Sequence, residues 1–111
     1  MKALTVRQPW ASLIVAGIKD VENRPRRIRY RGRLAIHAGL GVNEEALRKY
    51  RRLLEDPLPA GALIGSVDII DCVENSKSKW AEDGYFHWVL ANPRELKRPR
   101  PMKGRLGLWD T

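Results

Sequence analysis

The chain has 111 residues, 21 Lys and Arg against 13 Asp and Glu, and a formal net charge of +8. That length suits one domain, residues 1–111, burying about two thirds of its unfolded surface without staples. No apolar run approaches the roughly 18 residues of a membrane span, so no membrane partner is expected.

The single Cys72 excludes an intramolecular disulfide and reads as a small buried hydrophobe; His37 and His87 make no metal-ligand spacing, so neither metal nor cofactor is expected. The start, MKALTV, lacks the apolar core and cleavage site of a signal peptide, which points to a cytoplasmic protein. A monomer is the default.

The location of the charge is more informative than its size. Residues 1–33 carry nine bases against Asp20 and Glu22, a net +7, whereas residues 34–111 carry twelve bases and eleven acids, a net +1. Six of those bases fall within ten positions: Arg24, Arg26, Arg27, Arg29, Arg31 and Arg33. One dense basic patch on a balanced chain points to a polyanion, nucleic acid first, with a merely solvated basic face as the alternative.

Taken in order, Lys2–Val6 reads as a first strand. Gln8-Pro9-Trp10 then starts a helix, with proline in the first turn where its missing N–H costs nothing. Trp10, Leu13, Ile14 and Gly17 repeat at helical spacing, and Gly17 is placed to end the helix with a left-handed cap. Beyond it, Lys19 and Glu22 fall on opposite faces if the chain is extended and come together if it turns. They are either a surface ion pair or a lysine and carboxylate held in a cleft.

Arg27–Arg31 alternates strictly, which predicts a strand with arginines on one face and Ile28 and Tyr30 on the other. Arg33–Ala38 predicts a buried strand in which His37 is a satisfied core histidine or, near the basic stretch, a ligand or proton-transfer group. Asn43 is a good N-cap for a second helix, whose apolar face is Leu47, Tyr50, Leu53 and Leu54.

Gly61–Val73 is the longest strand-like run, with Leu63, Val67, Ile69 and Val73 on one face and Ile64, Ile70 and Cys72 on the other. Asp68 and Asp71 suggest an edge or a polar cavity. Residues 74–84 read as a polar loop in which Trp80 closes the core or stacks on a base. Tyr85–Leu90 predicts a strand, Asn92-Pro93 a turn, Leu96–Lys103 a proline-stiffened basic segment, and Gly104–Trp109 a last short strand. Two helices among five or six short strands indicate an α+β fold, barrel-like in outline.

The segments QPWASLIVAGIKDVENR, YRGRLAIHAG, GSVDIIDCV, HWVL and KGRLGLW together resemble the ASCH domain family, named for activating signal cointegrator homology. The resemblance covers essentially the whole chain and rests on QPWA, GxKxxExR and RGxLxIHA occurring in order. It implies a PUA-like small β-barrel of five to six strands with two main flanking helices, a cleft at the GxKxxE segment, and RNA- or DNA-related ligands. The family motif falls on Gln8, Pro9, Trp10, Lys19, Glu22 and Arg24, then on Arg31, Gly32, Lys103 and Gly104.

One bacterial branch of the family resembles amidohydrolases of acetylated cytidine, with a catalytic lysine, a threonine three residues later and a distant glutamate. Lys19 matches the lysine, but Glu22 stands where the threonine would be, and a carboxylate does not replace a hydroxyl acyl acceptor. Other relatives resemble ribonucleases, in which Lys19 would be an electrostatic stabiliser and Glu22 a base.

These readings combine into a nucleic-acid-binding ASCH domain that takes RNA, single-stranded nucleic acid or a modified nucleotide in a basic cleft. Its pocket would comprise Gln8, Pro9, Trp10, Lys19, Glu22 and His37. Arg24, Arg26, Arg27, Arg29, Arg31 and Lys103 would contact phosphates. The rival is an enzyme, a metal-independent ribonuclease or small hydrolase of a modified nucleoside, with Lys19 and Glu22 catalytic.

Overall fold

The computed structural model describes all 111 residues, and its architecture follows where apolar side chains alternate and where they cluster. Strand β1 (Lys2–Gln8) buries Ala3, Leu4, Val6 and Gln8. Helix α1 (Trp10–Val15) follows at once, with every residue after Trp10 buried. Pro9 stands just before the helix and Gln8 does the capping: its Oε1 accepts from Ser12 N at 3.0 Å, and its Nε2 donates to Pro59 O at 2.9 Å. Gly17 ends the helix at φ 79°, where Ile18 N donates to Leu13 O and Gly17 N to Ile14 O, the paired closure of a Schellman cap.

The remaining elements are β2 (Val21–Arg24), β3 (Gly32–Val42), α2 (Glu44–Tyr50) with a 3-10 turn at Arg51–Leu53, β4 (Ala62–Val73), β5 (Phe86–Pro101) and β6 (Leu108–Asp110). The strands form one mixed sheet in the order β2-β5-β4-β3-β1-β6, in which only the β1–β3 pairing is parallel. This is a small α+β fold. The expected barrel does not close, because β2 and β6 share no ladder and remain edges. The sheet curls instead, so that Arg24 on β2 donates Nη2 to Thr5 O on β1 at 3.3 Å.

The main core lies between sheet and helix, built from Leu4, Val6, Ile14, Leu34, Ile36 and Val67 with their neighbours. At Gly65 the layers approach most closely: a Cβ there would collide with Arg94 O and stand 2.8 Å from Val15 Cγ1. A smaller cluster of Leu13, Val21 and Trp80, with Trp10, Tyr50 and Leu54 against it, ties α1, α2 and the β4–β5 loop together.

Three expectations from the sequence are corrected. Arg27–Arg31 forms no strand, although Ile28 is still buried and Tyr30 half-buried as the alternation predicts. Side chains satisfy this segment's carbonyls instead of a ladder: Arg31 Nη1 donates to Ile28 O and Tyr30 O, and Trp88 Nε1 donates to Arg26 O.

Asn92-Pro93 is not a turn between two elements, because β5 runs through it with Asn92 at φ 51° and its register against β4 slips locally. Beyond Leu90, whose N–H donates to Asp20 O at 3.0 Å, β5 pairs with no residue of β2, and such an edge tolerates Pro93, Pro99 and Pro101.

Finally, β4 is an inner strand, so Asp68 and Asp71 mark no edge. Asp68 accepts from Arg33 Nη1 at 3.0 Å and Asn92 Nδ2 at 2.8 Å, while Asp71 accepts from the Cys72 amide at 2.8 Å. The Asn92 hydrogen bond, then that of Arg33, hold the Asp68 carboxyl below its ordinary value. A register slip between Ile69 and Asp71 turns Ile70 outward, 54% exposed, and returns Cys72 to the core.

Candidate functional site

The Gly17 cap delivers the chain to Lys19, and β2 then holds Glu22 opposite Trp88. Of the two arrangements the sequence allows, the convergent one occurs: Lys19 Nζ lies 3.3 Å from Glu22 Oε1, and it also donates to Val21 O. Arg24 Nε donates to Glu22 Oε2 at 2.9 Å from the other side. Lys19 is 5% exposed and Glu22 8%. Two charges so removed from water persist because each has its opposite within reach and hydrogen bonds beyond it.

This ion pair lies at one side of an open cleft of about 350 Å³, in the size range of small-ligand sites. Trp10, Tyr50 and Trp80 form an aromatic wall, with ring centroids 5.0–6.4 Å apart and planes tilted or edge to face. The rings pack on each other, so they present one apolar surface rather than a slot. Asn23, Asn43, Lys79 and Glu82 complete the lining.

Each wall residue is positioned by a local device. Asn43 Oδ1 accepts from Ala46 N at 3.0 Å, which starts the helix that ends in Tyr50. Asn23 braces the loop carrying Trp80, donating to Trp80 O and accepting from Glu82 N, both at 2.9 Å. His87 does the same from beneath: Nδ1 accepts from Ser76 N at 3.1 Å and Nε2–H donates to Glu82 O at 2.7 Å.

Trp10, Lys19 and Glu22 are thus brought together, and the other predicted site residues are not. Gln8 and Pro9 are buried at the helix start, supporting Trp10 from behind. His37 sits on the opposite side of β1, with Nε2–H donating to Met102 O at 2.6 Å and Nδ1 accepting from Thr5 Oγ1 at 3.2 Å. Thr5 Oγ1 in turn accepts from Trp109 Nε1 at 3.2 Å, a closed network in which both ring nitrogens of the histidine have partners. Lys103 is exposed and outside the cleft; Gly104 beside it lies where a Cβ would stand 2.8 Å from His37 Cε1.

The arginine run does not line the cleft either. Arg24 is spent on Glu22, Arg27 pairs with Glu74 at 3.5 Å, Arg31 with Asp71 at 3.8 Å and Arg33 with Asp68 at 3.0 Å. Within the run, Arg26 and Arg29 alone are exposed without a carboxylate partner. The cleft lining is balanced, two lysines against two glutamates. Lys79 Nζ lies 5.0 Å from the Trp80 ring, and Lys49 Nζ, outside the lining, lies 5.4 Å from the Tyr50 ring.

Sequence reasoning missed Asn23, Asn43, Tyr50, Lys79 and Glu82 as cleft residues. Asn43 and Tyr50 were visible as the cap and apolar face of one helix, but nothing local says that this helix leans over Trp10. Trp80 closes the small core, 8% exposed, and also faces the cleft. No three His, Cys, Asp or Glu side chains are grouped where a metal could sit, and no helix is long and apolar enough to cross a membrane.

Comparison with known proteins agrees with this architecture. Activating signal cointegrator 1 from Homo sapiens is 37% identical over 124 residues, and the Mus musculus protein 36% over 125. Each match covers 96% of this chain but 21% of the relative, so the chain spans about a fifth of their length. Among solved structures, a point mutant of the ZmASCH protein from Zymomonas mobilis superposes with a TM-score of 0.57, covering 90% of this chain and 74% of that one; at 16% identity it supports the fold alone. The family model described as ASCH domain matches residues 4–100, and with nearly the whole length accounted for, the chain belongs to the ASCH domain family.

Proposed function

We propose that this ASCH domain binds nucleic acid, RNA or a modified nucleotide within it, by accepting one unstacked base into the Lys19–Glu22 cleft. The carrying observation is a buried ion pair presented at an open, aromatic-walled cavity of base-accommodating size. An aromatic surface favours a base of any sequence, while the ammonium and carboxylate supply a donor and an acceptor for its edge. Phosphates on either side fall to the exposed bases, Lys49 and Lys79 beside the aromatic wall and Arg26 and Arg29 of the arginine run. Arg24 holds the site's own Glu22, while Arg27 and Arg31 pair with Glu74 and Asp71 outside the cleft.

Fluorescence anisotropy with a short labelled single-stranded RNA tests this reading. Affinity is expected to fall steeply with salt, and Trp10→Ala and Lys19→Ala to weaken binding at every salt concentration. Affinity indifferent to salt, or absent at low and high salt alike, rules the reading out.

The hydrolytic alternative draws on the same convergence of Lys19 and Glu22. Against it, both Glu22 oxygens already accept from cations of the chain, Lys19 and Arg24, which suits a fixed recognition element better than a base that must take a proton. Incubation with RNA and with acetylcytidine in chelator separates the two. Turnover lost in Lys19→Ala but kept in Arg29→Ala would establish catalysis.

A further inference from the structure

The second half of β5 carries bases that the fold does not neutralise. Arg94, Lys97, Arg98 and Arg100 are exposed, and none is in an ion pair. Arg94 still lies near enough to Asp68 to help lower its carboxyl, which leaves the other three uncommitted.

The register of the strand explains how Lys97 and Arg98 are displayed. Between the Gly65–Glu95 and Leu63–Arg100 pairs, β5 advances five residues while β4 advances two, so residues 96–99 bulge from the ladder. Leu96 and Pro99, the two ends of the bulge, line a hollow of about 300 Å³ beside Val15 of α1. Lys97 and Arg98 between them do not line it, and both are exposed. The shoulders of the bulge face the hollow, and its tip is a pair of adjacent cations in solvent. Glu55 and Glu95, the acids of the hollow, are in no ion pair with either.

This tip is within reach of the cleft. Gly17, two residues before Lys19, packs against Pro93, where a Cβ on the glycine would stand 3.0 Å from Pro93 Cγ. A notch of about 80 Å³ at that contact is lined by Lys19, which also lines the cleft, and by Ala91 and Pro93 of β5. Asp20 lines the notch too, with its carboxylate turned to Ser78 Oγ at 2.6 Å. Arg98 is five residues beyond Pro93, at most about 17 Å of extended chain.

The chemistry of the tip favours a phosphate backbone over an acidic protein. The buried centre of a protein interface is largely apolar, and the apolar residues here, Leu96 and Pro99, face the hollow instead of accompanying the cations. A polyanion needs only unpaired cations and gains by releasing its counterions to solvent.

We infer that the β5 bulge is a second phosphate-binding point, at which Lys97 and Arg98 take the backbone of a single-stranded RNA a few nucleotides from the base held in the cleft. The inference rests on the cleft reading for where the strand starts, and extends it from one base to a path past Lys19 and along β5.

The test is fluorescence anisotropy of the whole chain with labelled single-stranded RNAs of about four and about twelve nucleotides. The double variant Lys97→Ala, Arg98→Ala should weaken the longer RNA by about tenfold and reduce its log–log salt slope by about 1.4, two phosphate contacts. It should leave the shorter RNA unchanged and, being at exposed positions, leave the circular dichroism spectrum unchanged. Trp10→Ala should weaken both lengths. Unchanged affinity and slope for the longer RNA in the double variant, with Trp10→Ala still weakening it, would overturn the second contact and leave the cleft standing. Loss in the double variant with Trp10→Ala inert would keep the phosphate contact and remove the cleft. Equal losses on both lengths would place the tip at the cleft's own phosphates, and a labelled all-Glu peptide bound as tightly as RNA of equal charge would assign the tip to acidic proteins; either result overturns the proposal.

Discussion

Arg24–Arg33 and Arg94–Arg105 each contain six Lys or Arg, yet they do opposite things in space. In the first stretch four of the six bases are ion-paired, with Glu22, Glu74, Asp71 and Asp68. In the second none is, and its residues from Arg94 to Pro101 lie exposed along a strand with one free edge. The acids that neutralise the first stretch come largely from β4 and its exit, brought alongside by the β3–β4 ladder and the curl of the sheet. The second has only Glu95 nearby in sequence. Density of charge along the chain is therefore a poor guide to free charge at the surface, and the arginine run acts as much to bind the domain together as to attract a partner.

The contrast is most sharply broken at Glu22. Glu22→Ala leaves the nearly buried Lys19 and the Arg24 guanidinium without their shared carboxylate, and chemical denaturation should show a loss of about 3–5 kcal/mol. Lys19→Met should cost less, because Glu22 keeps Arg24. Equal losses would mean that Arg24 does not support Glu22.

The next effect compares one arginine from each stretch. Arg33→Ala removes hydrogen bonds to Asp68 and to Asn92 O and should lower the unfolding midpoint measurably, whereas Arg98→Ala should stay within about 0.5 kcal/mol of the parent.

Within the first stretch, the salt dependence of RNA binding sorts free from committed bases. Arg26→Ala and Arg29→Ala should each reduce the log–log slope by about 0.7 if they touch a phosphate, and Arg27→Ala and Arg31→Ala by less. A uniform loss across all four would show that the internal pairs open on binding.

The smallest effect is on acid stability. Because Asp68 is held below its ordinary value of 3.8 in the fold, its contribution is present above that pH and disappears as pH falls through the lowered folded value. The stability gap between the parent and Asp68→Asn should be constant near neutrality and narrow in strong acid. A gap that widens there would mean that the fold raises this carboxyl instead of lowering it.

Much of the fold was legible because its signals are local. The Gly17 cap, the Asn43 cap, the buried run at Leu34–Ala38 and the length of β4 each follow from a handful of adjacent residues, and the ordered motifs pointed to the ASCH family. The Arg27–Arg31 strand failed for a reason alternation cannot carry: Arg31 and Trp88 supplied donors that made a ladder unnecessary. The Asn92-Pro93 turn failed because a free edge tolerates proline inside a strand. Of the site, Trp10, Lys19 and Glu22 were readable from one segment, while Tyr50 and Trp80 come from elements far along the chain.

Sequence alone determined the two helices and their caps, several of the strands, the family and the placing of a carboxylate three residues after a lysine, since each depends on neighbours within a few positions. Whether that pair met in a cleft, which arginines were left free, and that α2 and the β4–β5 loop would supply the aromatic wall were matters for tertiary structure. A charge is neutralised and a wall assembled by whatever lies close in space, and here the partners lie up to tens of residues apart: Arg27 with Glu74, Arg31 with Asp71, Trp10 with Trp80.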